Sequence, residues 1–252
     1  MDRGTSGQRR PGTAGLLGLV CGLLAAGEVA CQRSWPRTIE GDGKTITQVR
    51  PVGGPFDAVD ARGAMDLQVK VEPAASIAVT IDQNLQPYVD VHIEGSTLVI
   101  EQHDSLRWHD RACANVTLPV LRAVSTSGWG VATVEGSTGG ALLLSSTGSG
   151  DVRWRGEAER LEVRTSGSGR VVLAGRAADL RVSTSGSGNV EGSALTVSGD
   201  ADVSTSGSGS VELALAGGSL QAHTSGSGDV TYSGEARAVN AQVSGSGRVR
   251  RR

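Results

Sequence analysis

Seven times the chain writes Ser/Thr-Gly-X-Gly, with first glycines at Gly128, Gly148, Gly167, Gly186, Gly207, Gly226 and Gly245, a spacing of 19–21 residues. Self-similarity at such a period belongs to folds built by stacking one supersecondary unit on the next. A flexible Gly/Ser linker would also be rich in these residues, but it would not hold fixed apolar positions between them.

The intervals hold such positions. Six residues before the glycine stand Leu142, Leu161, Leu180, Ala201, Leu220 and Val239; four before stand Val124, Leu144, Val163, Val182, Val203, Ala222 and Ala241. Four residues after it stand Val152, Val171, Val190, Val211, Val230 and Val249. Polar residues alternate with them, so the period is two, the pattern of strands with one buried face.

Each unit then reads strand, Gly-X-Gly turn, strand, second turn. A pair this short cannot bury its own face, so units must stack, at about 4.8 Å per coil, into a parallel β-helix. Seven corners make a prism on the order of 30 Å long. Glycine at the corner is expected to supply positive φ. The threonine two residues before it (Thr165, Thr184, Thr205, Thr224) should face inward, its hydroxyl paired in a ladder between coils. Propeller blades repeat at twice this length, and the asparagine ladder of leucine-rich repeats is missing.

Composition agrees. Only 3% of residues are aromatic, which suits a thin aliphatic interior. Glycine is abundant, 37 in all, without a collagen triplet. A net charge of −2 removes the electrostatic footprint of a nucleic-acid binder, so no DNA or RNA partner is expected. Cys21, Cys31 and Cys113 form no CxxC pair and no disulfide framework.

Arg3, Arg9 and Arg10 precede an uncharged apolar run from Ala14 to Ala26. This reads as a signal peptide over 1–30, too short for a helix that crosses a bilayer. Glu28-Val29-Ala30-Cys31 resembles a lipobox except that Glu28 stands where an aliphatic residue is usual. Two outcomes stay open: lipidation of Cys31, or cleavage near Ala26 with Cys31 free or bonded to Cys113. Either way the chain is exported to the cell envelope, periplasm or outer-membrane surface, and touches a membrane only through a lipid on Cys31. Residues 1–30 hold three arginines against Asp2 and Glu28, so the mature chain carries −3.

Residues 31–45 read as a polar tether. Alternation resumes over 46–127 without the corner signature. The 65 residues from Gly63 to Gly128 equal three coils of about 22, so these are expected to be divergent coils that cap the regular stack of 128–252, with 46–252 one domain. The stretch from His103 to Asp110 is expected to protrude.

Gly41-Asp42-Gly43, Arg50-Pro51-Val52 with Phe56-Asp57-Ala58-Val59, Leu98-Val99-Ile100, Leu118-Pro119-Val120-Leu121, the serial Ser-Gly-Ser-Gly and Gly228-Asp229-Val230-Thr231-Tyr232-Ser233-Gly234 occur together and in order. In them the chain resembles, over about 40–250, the auto-transporter adhesin head family, the GIN domain. The resemblance implies a right-handed β-helix on exported, often lipid-anchored bacterial proteins, and brings no catalytic residues.

Gly41-Asp42-Gly43-Lys44-Thr45 fails as a P-loop because Thr38 stands where its first glycine belongs. His103, Asp104, His109 and Asp110 form the one cluster with metal-ligand chemistry, also readable as a solvated loop. Asp151, Glu191 and Asp229 follow corners on separate coils; Asp151 and Asp229 stand four coils apart, about 19 Å, too far to act as paired carboxylates. No serine stands on a nucleophile elbow. Trp129 replaces the serine found in the six later corners; we take it first as cover for the first regular coil and, alternatively, as a surface that stacks on a sugar or a partner. The favoured function is a non-enzymatic, adhesin-like envelope domain that binds an envelope protein or glycan, with oligomers through its open ends, and no cofactor or metal is expected. The alternative is a polysaccharide-active β-helix enzyme using the 103–110 loop.

Overall fold

The inward columns read from the sequence are the columns of the fold. In the computed structural model, which describes residues 38–252, the strands are β1 (Thr38–Glu40), β2 (Thr45–Arg50), β3 (Ala58–Arg62), β4 (Asp66–Val71), β5 (Ser76–Asp82), β6 (Val89–Glu94), β7 (Thr97–Gln102), β8 (Ser105–Arg107), β9 (Cys113–Leu118), β10 (Ala123–Thr126) and β11 (Ala132–Glu135). They continue as β12 (Ala141–Ser146), β13 (Val152–Thr165), β14 (Val171–Thr184), β15 (Val190–Val197), β16 (Ala201–Thr205), β17 (Val211–Ala216), β18 (Ser219–Thr224), β19 (Val230–Glu235), β20 (Ala238–Val243) and β21 (Val249–Arg251). One 3-10 helix, Gln83–Tyr88, interrupts them. The expected signal peptide and Cys31 lie outside the described residues.

From β10 onward every pairing between coils is parallel. Leu142, Leu161, Leu180, Ala201, Leu220 and Val239 stand in register. So do Val152, Val171, Val190, Val211, Val230 and Val249. Most of these side chains are fully buried. The chain is an all-β parallel β-solenoid with an aliphatic interior. Two buried aromatics depart from the aliphatic rule: Trp154, 2% exposed and in register with Leu173, and Phe56 in the amino-terminal part.

The corner glycines differ from expectation in their reason. None of the fourteen in the seven motifs has a positive φ; that geometry occurs instead at Gly136, Gly175, Gly217 and Gly234 in the second turns. What excludes a side chain at the corner is the neighbouring coil. A Cβ on Gly207 would overlap the Gly186 carbonyl oxygen, and one on Gly226 the Gly207 carbonyl oxygen. Each of those carbonyls accepts an N–H from the next corner, as Ser208 donates to Gly186 (3.1 Å) and Ser227 to Gly207 (3.0 Å). The corners are laced by backbone, with no space for a methyl between them.

The amino-terminal half departs from three consecutive coils. Gly128 lies directly on Gly63, so a Cβ there would overlap the Gly63 carbonyl. β3 and β4 form one coil, paired with β10 and β11 on one side and with β7 and β9 on the other, all parallel. The chain thus builds the 58–71 coil, leaves it, lays 97–118 beneath it, and returns to place 123–135 above it. Beyond the 97–118 coil lie antiparallel strands: β5 on β9, β2 on β5, and β6 on β7 through a tight turn at Gly95, φ +65°. Alternation marks a strand's buried face but not its direction, so three parallel coils and one antiparallel cap look alike in sequence.

Candidate binding ridge

The positions flanking each corner glycine point outward on every coil. One residue after it stand Trp129, Ser149, Ser168, Ser187, Ser208, Ser227 and Ser246; one residue before stand Ser127, Thr147, Ser166, Ser185, Ser206, Ser225 and Ser244, all exposed. Together they form a ridge of small hydroxyl side chains at the coil repeat. Beside it run two open grooves. One, of about 300 Å³, is lined by residues including Ser145, Arg164, Ser166, Ser183 and Ser185; the other, of about 360 Å³, includes His223, Ser225 and Gln242.

Trp129 stands at one end of this ridge and is 79% exposed. It therefore does not cover the first regular coil. Its backbone N–H is tied to the Gly63 carbonyl (3.0 Å), which fixes the peptide while leaving the indole in solvent.

The inward threonines do not form the expected hydroxyl ladder. Ser146 Oγ and the Oγ1 atoms of Thr165, Thr184, Thr205 and Thr224 are buried with no hydrogen-bond partner. The parallel register sets them one coil apart, about 4.8 Å, beyond the reach of a direct hydrogen bond.

The 103–110 segment is exposed over most of its length but is not an irregular loop. β8 within it pairs in parallel with β1, and Trp108 packs partly against the core. His109 folds back onto Asp82, a carboxylate only 1% exposed. Asp82 accepts the His109 backbone N–H (3.0 Å), lies 3.4 Å from His109 Nδ1, and accepts the Thr45 hydroxyl (3.3 Å). His109 is thus engaged in closing the amino-terminal cap. Among the described residues, no group of three or more His, Cys, Asp or Glu is placed to hold a metal.

The acids after the corners hold coils together. Asp151 Oδ1 accepts the Arg170 N–H (3.0 Å) and Asp229 Oδ1 the Arg248 N–H (2.9 Å). Asp66 does the same for Val131 (2.9 Å) and Asn189 for Ser210 (2.9 Å). Glu191 pairs with Arg170 (3.2 Å). Asp66, Asp151, Asn189 and Asp229 each satisfy a backbone donor on the next coil, whereas Glu191 meets the Arg170 guanidinium of the coil before it. Cys113 is a buried free thiol on β9, its pKa raised by burial.

Sequence reading passed over one charged cluster. On β6, His92 lies 3.1 Å from both Asp90 and Glu94, and Arg62 beside it meets Asp60 (2.8 Å), Glu101 (3.6 Å) and Glu94 (3.9 Å). The signal was present as acid-x-His-x-acid on one face of a strand. The hydrogen bond to Glu94, with the Asp90 charge, raises the His92 pKa above 6.5. The stabilisation this pairing adds is present in full below the unfolded value and fades as pH rises through the higher folded one. An NMR titration should place the His92 midpoint above 6.5, and Glu94→Gln should lower it more than Asp90→Asn does; an unshifted midpoint would contradict the pairing.

Residues 55–236 and 197–252 match the family described as "Putative auto-transporter adhesin, head GIN domain". No curated protein matches the chain. Among solved structures it is similar to a putative adhesin from Bacteroides fragilis, at TM-score 0.79 and 23% identity over 85% of this chain and 100% of that one. A putative lipid binding protein from Parabacteroides distasonis superposes at TM-score 0.70 with 23% identity, covering 85% and 100%. A putative adhesin from Parabacteroides merdae does so at 0.65 with 22% identity, covering 85% and 99%. At these identities the likeness is one of fold.

Proposed function

The chain belongs to the auto-transporter adhesin head GIN-domain family, and from that premise we propose that it is a non-enzymatic, exported domain of the bacterial cell envelope. Its corner ridge binds a glycan or envelope protein. The observation that carries this reading is Trp129, a large aromatic held 79% exposed where each later coil has serine. A solvent-facing indole contributes little to the interior, whereas stacking on a sugar ring or a partner's apolar group recovers its area. The hydroxyl rows beyond it offer donors and acceptors at every coil. The names given to the structural neighbours agree with surface binding.

The test is a binding screen on glycan and envelope-protein arrays with the wild-type chain and Trp129→Ser. The variant should bind roughly thirtyfold more weakly, about 2 kcal/mol, as for an aromatic hot spot. Its thermal midpoint should not change, because serine already occupies that place in six coils. Equal binding by both proteins would remove Trp129 from the site, and turnover of a polysaccharide by the purified protein would overturn the non-enzymatic reading. Export with a lipid on Cys31 is tested by mass spectrometry of the mature amino terminus, where an acylated Cys31 is one outcome and a chain starting near Gly27 the other.

A further inference from the structure

The two ends of the solenoid are finished differently. At the amino-terminal end the 3-10 helix Gln83–Tyr88 closes the interior: Leu85 and Gln86 are buried, and the Gln86 amide donates to the Val79 carbonyl (3.1 Å) and the Ile46 carbonyl (3.2 Å). At the other end no such element covers the last coil among the described residues, where β20 pairs only with β18 and β21 only with β19. Stacked repeats need a terminal unit with a polar outer face to shield the apolar columns from water.

The uncovered coil offers both kinds of contact that an added strand uses. In earlier coils the inward positions turn their backbone groups toward the coil that follows. Leu180 N–H donates to the Asp200 carbonyl (3.0 Å), and the Thr126 and Thr224 carbonyls accept from Thr147 (3.0 Å) and Ser244 (2.8 Å). Val239, Ala241 and Val243 hold those positions on β20, in register with Leu220, Ala222 and Thr224, so their N–H and C=O groups form an open edge. Their side chains are open too, Val239 42% and Val243 45% exposed, whereas Leu220 and Ala222 one coil back are fully buried. On β21, Arg251 stands at the register position that Leu213 and Tyr232 hold in the two coils before it. Residues 237–252 carry five arginines and no acid. Arg237 and Arg250 reach back to Asp200 (3.6 Å) and Asp229 (3.9 Å), but Arg248, Arg251 and Arg252 meet no acid among the described residues.

We infer that the β20/β21 end is a docking edge for an extended acidic segment of another protein, which adds to β20 as a further strand. Apolar side chains at alternate positions of the segment cover Val239, Ala241 and Val243. Its acids, on the opposite face, meet Arg237 before β20 and Arg248 and Arg251 beyond the corner. In strand addition the main-chain hydrogen bonds supply affinity and the alternate side chains supply selectivity. Charge decides the occupant. A second copy docked through its own β20/β21 end would set five arginines against five. An anionic lipid surface would neutralise the arginines but leave the edge N–H and C=O groups without partners. The docking edge does not depend on what the corner ridge binds.

Fluorescence anisotropy of the full chain with labelled peptides of the length of β20 tests this. A peptide alternating valine with glutamate should bind roughly tenfold more tightly than one alternating valine with lysine, because like charges oppose docking. The same valines and glutamates arranged in two blocks should also bind more weakly, since no register then puts every apolar residue on one face. Hydrogen exchange should slow at the amides of Val239, Ala241 and Val243 when the alternating glutamate peptide is bound. Ala241→Pro removes an edge donor that bonds nothing within the chain; it should keep the β-sheet circular dichroism spectrum and weaken binding by roughly tenfold. Arg248→Glu/Arg251→Glu, which leaves the strand backbone untouched, should reverse the preference toward the lysine peptide. No binding of the glutamate peptide, equal binding of the block or lysine peptide, or slowed exchange away from β20 would overturn the proposal. So would self-association of the chain through this end in sedimentation, or a preference of this end for phosphatidylglycerol vesicles over the peptide.

Discussion

Gly207→Ala is expected to destabilise the protein by roughly 3 kcal/mol, the upper part of the overpacking range. The added methyl would overlap the Gly186 carbonyl oxygen, which already accepts the Ser208 N–H of the same corner. Relief requires the two coils to part, and parting them breaks the backbone hydrogen bonds on either side. Two controls separate this cause from backbone conformation. At Gly217, φ is +108° and nothing lies within 4 Å of a built Cβ, so alanine there should cost about 1–2 kcal/mol through φ alone. At Gly53, with open space and no positive φ, alanine should be neutral within about 0.5 kcal/mol. The order is read from urea midpoints. If Gly217→Ala proves the most damaging, conformation rather than close approach governs the corners.

Thr184→Val is expected to act in the opposite direction, raising stability by about 1–3 kcal/mol, the cost of a buried polar group without a partner. The Thr184 hydroxyl is buried and unpaired, as are those of Thr165 and Thr205 in the coils on either side. Valine keeps the shape and the β-branch. The same inward position already accepts Ala61 and Ile100 at one end of the stack and Val243 at the other. Thermal and urea unfolding of Thr184→Val, then of the triple Thr165/Thr184/Thr205→Val, would show the gain growing with each hydroxyl removed. A loss of stability would mean that a bound water or an altered rotamer satisfies the column in solution.

These two outcomes turn on features that local reading described only in part. The inward columns were legible because each coil repeats the same test: six leucine or valine rows in register are hard to produce by chance, and the structure superposes them residue for residue. The need for glycine at the corner was legible too, but its reason was not. Positive φ is a property of one residue, whereas the overlap at Gly207 involves a carbonyl 21 residues away.

The site was legible to the extent of Trp129, which stands out as a break in a column of serines. Whether that break is cover or exposed surface depends on what lies beside the corner. Asp151 and Asp229 could be excluded as a pair by counting coils, but their hydrogen bonds to Arg170 and Arg248 needed the register. The 103–110 segment was misjudged because its polarity concealed β8 and the closure of His109 on Asp82.

The amino-acid sequence by itself determined that this chain is a stack of β coils of 19–21 residues with an aliphatic interior, because alternation and corner spacing are local and recur in every unit. Only the tertiary structure decided the order and direction of the amino-terminal strands, which places 58–71 between 97–118 and 123–135, and which leaves the inward hydroxyls unpaired. Strand direction and coil order arise from pairing between distant segments, and a period of two is the same whichever neighbour a strand takes.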